Sequence, residues 1–503
     1  MKKLIILLAI AGLQTINAHA QGPVPEKKKG TPAEIAAARK AVEKNFKNAK
    51  AHEDYIYLAG VESAEVKAQY DKWIKAHPKS VEIPFAFALA LYDAELPAAK
   101  PYLEKVIQLD PKNGETYEML WIDAERWGDF AAGREYLRKA TESDPKNANF
   151  AFYYASSHED VDSAKHHDLM LSMPDRFPGT ERGAQALYWL AQRSTNAAVK
   201  VKVWEQSRRQ FDPGKSSWAS SSMSSYFSYL LPKDAQKAQQ LANEMLQNDS
   251  LRENKQWLQN RSVAEKVLAG RILAARGDHA DAIAMLNSAP KIRYSSSQVV
   301  LLKEIALVND AMGNPAGSYD SLLKYYAVDP TDEVYGLMKK YAGKLGKNND
   351  AIQADVWKVR KAAAKPATSF SLDNYLTGGK TSLADLKGKV VLVTYWFPGC
   401  GPCRGEFPHF EAVVRKYGKD QLAYIGINIA HEQDPYVVPF INQSGYSFTP
   451  VRDEPAKRGN LVARGAPTNY LIDKEGNIVF SNFRTDEHNH RTLELMINEL
   501  LDK

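Results

Sequence analysis

Residues 389–408 read Lys-Val-Val-Leu-Val-Thr-Tyr-Trp-Phe-Pro-Gly-Cys-Gly-Pro-Cys-Arg-Gly-Glu-Phe-Pro. Lys389 to Tyr395 is a near-continuous run of β-branched and aromatic residues, the mark of a strand buried on both faces. Phe397-Pro398-Gly399 breaks the run, and Gly401 to Tyr417 reads as a helix entered through Cys400-Gly401-Pro402-Cys403. This succession of strand, turn and helix puts two cysteines at a helix N-terminus. Unpaired backbone N–H groups there carry partial positive charge, which stabilises a thiolate and lowers its pKa. Cys400 is expected to be the exposed nucleophile and Cys403, one turn inward, the resolving thiol. The two intervening residues let both sulfurs meet on one turn, and Pro402 stiffens it.

These are the only 2 cysteines among 503 residues. That count excludes a disulfide-stapled scaffold and a multi-cysteine zinc array. Three other readings compete with a redox dithiol. A metal site would have His409 as its nearest histidine, but zinc usually takes four ligands. A purely structural disulfide across so small a loop would stabilise little. A peroxidase would need a lone peroxide-reactive cysteine in another context. The dithiol reading calls for no cofactor and no metal. The net charge of +6 is too weak to argue for nucleic acid.

Working outward, Leu422 to Ile429 reads as a second strand. Asn469–Ile472 and Asn477–Phe483 read as two more, joined by the turn Asp473-Lys474-Glu475-Gly476. Strands alternating with helical stretches make residues 366–503 an α/β domain. Upstream, Pro366 stops the preceding helix, which puts the boundary near 365. Residues 31–365 are rich in strong helix formers, with short Gly, Pro or Asn breaks between apolar-periodic runs. Asp110-Pro111-Lys112-Asn113 returns 34 residues later as Asp144-Pro145-Lys146-Asn147. That period belongs to tetratricopeptide-like (TPR-like) helical repeats. Tyr117 and Leu120 fall on a first helix, Gly128 on the turn, and Gly133, Leu137 and Ala140 on a second. The serine-rich stretch Ser216–Ser228 reads as loop or degenerate helix, with helix favoured by its interleaved Trp218, Met223, Tyr226 and Phe227. The expected architecture is an all-α TPR-like solenoid followed by an α/β domain.

The N-terminus has the form of a secretory signal. Lys2 and Lys3 precede the apolar run Leu4–Leu13, and Ala18-His19-Ala20 supplies a cleavage site after Ala20. Residues 1–20 are expected to be a signal peptide and 21–30 a disordered leader. No later run is long and apolar enough to span a membrane. The expected location is the periplasm, an oxidising space.

The segment from about Ala367 to Lys503 resembles the thioredoxin-fold TlpA/ResA-like thiol–disulfide oxidoreductases. The matching residues are Phe370-Ser371-Leu372, Ser382 to Leu392, Tyr395-Trp396, Cys403-Arg404-Gly405-Glu406-Phe407-Pro408 and Gly465-Ala466-Pro467-Thr468-Asn469-Tyr470-Leu471-Ile472-Asp473. The resemblance implies that Pro467 is a cis-proline facing the dithiol and exposing the backbone of Ala466 to an extended substrate. It implies that Glu406 is a part-buried carboxylate that exchanges protons with Cys403 or modulates thiol basicity. Thioredoxins proper carry an Asp six residues before the first cysteine; Thr394 stands there in this chain. Pro408 is expected to kink the active-site helix, and Trp396 to pack in the core. One departure concerns Gly399, where relatives have Trp; the aromatic lip beside the nucleophile is missing unless Phe397 replaces it. The implied activity is thiol–disulfide exchange, with a reducing direction. The implied partners are a disulfide-containing protein substrate and a membrane thiol electron donor. The helical repeats would dock a partner; the alternative is a repeat scaffold whose thioredoxin-like domain is accessory.

Overall fold

The computed structural model describes residues 29–292, 297–486 and 488–502. The expected signal segment, and residues 21–28 of the expected leader, lie outside them. The repeat motif is itself a stop-and-start device. Asp110 and Asp144 each end a helix and accept a hydrogen bond from the N–H of Lys112 and Lys146. Proline then bars continuation, and the asparagine caps the next helix. Asn113 accepts from the Thr116 N–H at the start of Gly114–Trp127, and Asn147 from Asn149 and Phe150 at the start of Ala148–Ser156. Among the described residues, nineteen α-helices run from Pro32–Lys44 to Asn349–Ala363. The serine-rich stretch lies in the helix Ser217–Leu230, because Ala219, Met223, Tyr226 and Phe227 fall on one buried stripe.

The remainder is built on a six-stranded sheet. Its strands are β1 (Lys365–Pro366), β4 (Val390–Trp396), β5 (Leu422–Asn428), β6 (Thr449–Arg452), β7 (Thr468–Ile472) and β8 (Asn477–Ser481). Two further strands, β2 (Ser371–Asp373) and β3 (Lys380–Ser382), form a separate antiparallel hairpin. The sheet order is β1-β8-β7-β4-β5-β6, with β4, β5 and β6 parallel and β7 antiparallel to β4 and β8. Alternate residues of β4 feed two cores. Val390, Leu392 and Trp396 pack with the helices Gly401–Val414 and His490–Leu501, whereas Val391, Val393 and Tyr395 pack under the β2–β3 hairpin. Two expected ends move inward. The last strand stops at Ser481, because Asn482 takes a left-handed conformation (φ 57°). The active-site helix stops at Val414 rather than Tyr417, whose hydroxyl instead bonds Asn498.

The helical region is packed onto this sheet domain at two separate places along its course, one around residues 123–130 and one at its C-terminal end. Near the first contact, Tyr436 donates to Asp123 at 2.8 Å, and Trp127 and Phe130 meet Tyr436 and Phe440 edge-on. Gly128 serves two purposes there. It takes the left-handed φ of 75° that ends its helix, and a Cβ on it would lie 2.9 Å from the carbonyl oxygen of Phe440. At the second contact Arg360 pairs with Glu499, Tyr326 donates to the same carboxylate, and the guanidinium lies over Phe480 at 4.9 Å. The chain between the two regions is part of the sheet, with Lys365 and Pro366 paired to Ile478 and Asn477.

The Arg360 and Glu499 side chains are 2% and 7% exposed. Removing one partner from a buried pair strands the other charge, a loss of about 3–5 kcal/mol. Arg360→Leu should therefore lower the urea midpoint of the first unfolding transition and speed proteolysis near residue 365. The double change Arg360→Leu, Glu499→Leu should recover much of the loss. An unchanged midpoint in the single variant would show that the pair does not hold the two regions together.

Candidate active site

β4 delivers the chain to the site. Beyond Trp396 it turns through Phe397-Pro398-Gly399 and enters the helix Gly401–Val414 with Cys400 as N-cap. The Cys400 Sγ accepts from the Cys403 N–H at 3.3 Å, and the two cysteines are joined in a disulfide with their Cα atoms 5.3 Å apart. An N–H group of the first helical turn thus points at the sulfur that a reduced protein would hold as thiolate. The expected exposure of Cys400 is not found. It is 3% exposed and Cys403 is fully buried. Bonded to its neighbour, the Cys400 sulfur belongs to the cluster that holds Trp396 and Phe407. Gly401 and Pro402 are the exposed residues of the motif.

Phe397 and Ala466 are half-buried against that same cluster. The Ala466–Pro467 peptide bond is cis and leads directly into β7. Trp396 lies in the core among Phe407, Phe440 and Phe448. Thr394 is buried within β4. The helix runs on through Pro408, and His409 shares a 2.7 Å hydrogen bond with His490.

Glu406, on the turn after Cys403, is 6% exposed. It accepts from Asn469 Nδ2 at 3.0 Å and from the Thr485 N–H at 3.2 Å, and Arg484 stands 3.6 Å away. Burial pushes its carboxyl above the ordinary range, against the pull of Asn469, Arg484 and Thr485. Sequence alone assigns Asn469 no role. Its signal is an amide inside a strand of apolar residues, which needs a buried partner.

Two further residues enter only with the fold. Gln433 accepts from the Gly399 N–H at 2.6 Å, and a Cβ on Gly399 would lie 3.0 Å from the Gln433 amide. Glycine at 399 is thus the residue that lets Gln433 approach the turn beside Cys400. Arg404 pairs across the interface with Glu125 of the helix Gly114–Trp127. The two partners are far apart in sequence, and no local pattern connects them.

Residues 363–481 match the AhpC/TSA family, and residues 124–147 match the tetratricopeptide repeat. A thiol-disulfide oxidoreductase ResA from Bacillus thuringiensis (strain Al Hakam) is 35% identical over 24% of this chain and 70% of its own length. The thioredoxin-like protein YneN of Bacillus subtilis (strain 168) is 34% identical over 22% of this chain and 65% of its own. Among solved structures, a putative thiol:disulfide interchange protein DsbE from Chlorobium tepidum shares 27% identity over 27% of this chain and 96% of that one, with a TM-score of 0.25.

The Glu406 environment sets a pH signature. Its folded pKa lies above its unfolded value of about 4.3, so the folded form binds the extra proton. Stability is full below the unfolded value and falls as pH rises through the interval up to the raised folded pKa. Urea midpoints from pH 4 to 8 should therefore fall more steeply in the parent than in Glu406→Gln. Parallel curves would show that the carboxyl is not perturbed.

Proposed function

Because this chain belongs to the ResA family of thiol–disulfide oxidoreductases, we propose that it is an exported reductase of protein disulfides working through Cys400 and Cys403. The observation that carries this is the Cys400–Cys403 pair at a helix N-terminus, with a buried carboxylate one turn on.

In the reduced form the Cys400 thiolate attacks one sulfur of a substrate disulfide and the other sulfur leaves as thiolate. The resulting mixed disulfide is resolved when Cys403 attacks Cys400. That step frees the second substrate sulfur and oxidises the pair. Glu406 takes the Cys403 proton as that thiol becomes nucleophilic. The cis-Pro467 turn leaves the Ala466 backbone for pairing with an extended substrate segment, and Phe397 and Gly399 border it. Substrate reaches the sulfur past Gly401 and Pro402, the exposed part of the motif.

The reducing direction rests on the Gly-Pro dipeptide shared with thioredoxin, whose potential is about −270 mV. Export rests on the signal-like residues 1–20, with cleavage after Ala20. In the oxidising periplasm the pair then needs electrons, which a membrane thiol donor supplies. The helical region docks the partner and raises its effective concentration at the dithiol.

Cys400→Ser should abolish reduction of insulin disulfides by the full chain. Cys403→Ser should accumulate mixed disulfides that name the substrate. A dithiol potential near about −120 mV, the value of a strong oxidant, would overturn the reductase reading. Full cellular function of Cys400→Ser would favour the scaffold reading instead.

A further inference from the structure

The active-site helix carries a charged residue immediately after its second cysteine. Arg404 does not extend away from the dithiol. Its Nη2 lies 3.8 Å from the position a Cβ on Gly401 would take, so the guanidinium folds back over the first turn, beside the residue that follows Cys400. The opposite charge comes from the helical repeat. Glu125 pairs with Arg404, and the side chains are 18% and 20% exposed, so water screens them only in part. Glu125 lies against a small residue of the next helix. Its Oε1 lies 3.1 Å from where a Cβ on Gly133 would be, in the close approach of the helices Gly114–Trp127 and Phe130–Ser143. The small repeat position thus leaves room for this carboxylate. Among the described residues, other ionisable groups nearby are Tyr446 beside Arg404, with Asp160 of the repeat region and Glu411 around it, and Glu406 with Arg484.

We propose that Glu125, a residue of the helical repeat, is a positioning residue of the dithiol: by pairing with Arg404 it sets how much positive charge the helix N-terminus presents to Cys400. A cation near a thiolate stabilises it, which lowers the thiol pKa and makes the disulfide more oxidising. Glu125 offsets that cation and keeps the pair reducing. The helical region is then a component of the redox centre as well as a docking surface. This rests on Cys400 and Cys403 as the working pair. Its test reads the pair directly and needs no substrate protein, so it fails independently of the reductase reading.

The full chain is equilibrated in dithiothreitol redox buffers, and the reduced protein is alkylated with iodoacetamide at about pH 6.5, below the ordinary thiol pKa. Glu125→Gln should shift the dithiol–disulfide equilibrium about tenfold toward the dithiol, which is about 30 mV more oxidising, and speed Cys400 alkylation severalfold. Arg404→Gln should shift both in the opposite direction, because it leaves Glu125 uncompensated. The double variant should return to within about twofold of the parent, the signature of mutual compensation. Shifts of the two single variants in the same direction would mark a packing effect and overturn the proposal, as would a Glu125→Gln protein indistinguishable from the parent. Where Glu125→Gln does not fold, Arg404→Gln decides alone: slower alkylation supports the proposal, and unchanged or faster alkylation overturns it.

Discussion

A strand with no exposed face must satisfy two cores at once, and β4 does so from Val390 to Trp396. Its alternate side chains feed the clusters above and below the sheet, and its backbone is paired to β5 on one side and β7 on the other. A segment so constrained has little freedom to shift, because a slip of one residue would exchange its two faces. The turn at its end inherits that rigidity. Cys400 can therefore sit at the head of the next helix, with Glu406 on the turn after Cys403 and Ala466, from a distant part of the chain, packed against the same cluster.

The helical region extends this constraint. It meets the sheet domain through polar groups taken out of water: Asp123 with Tyr436, Arg360 with Glu499 and Tyr326, and Glu125 with Arg404. Such groups tolerate burial only when their partners are in place, so they specify one docking geometry more strictly than apolar contact does. Gly128 belongs to the same logic. A residue that punctuates a helical repeat also lets the backbone of a different domain approach. The thioredoxin-like domain is therefore one face of a joint structure, with Arg404 of its active-site helix paired to a carboxylate of the repeat.

Local signals carried much of the site. The Cys-x-x-Cys pair rests on short-range pattern, because a helix N-terminus is written in adjacent residues, whereas the roles of the glutamate three residues on and of the proline before β7 came from the resemblance to the TlpA/ResA-like oxidoreductases. The repeat that carries Asn113 and Asn147 was legible too, although their capping bonds came with the fold. The residues that escaped were pairwise and long-range. Asn469 and Gln433 are ordinary polar residues until Glu406 and Gly399 stand beside them. The burial of Cys400 was also hidden, since helix position indicates where a sulfur lies along the chain but not which side chains pack over it.

The amino-acid sequence by itself determined an α-helical repeat followed by an α/β domain, and where the dithiol stands in it, because periodicity and turn chemistry act over a few residues. Only the tertiary structure decided which repeat helix faces the active-site helix, and so which carboxylate answers Arg404. That choice depends on the summed packing of two cores and a few buried polar pairs, and no stretch of neighbouring residues encodes such a sum.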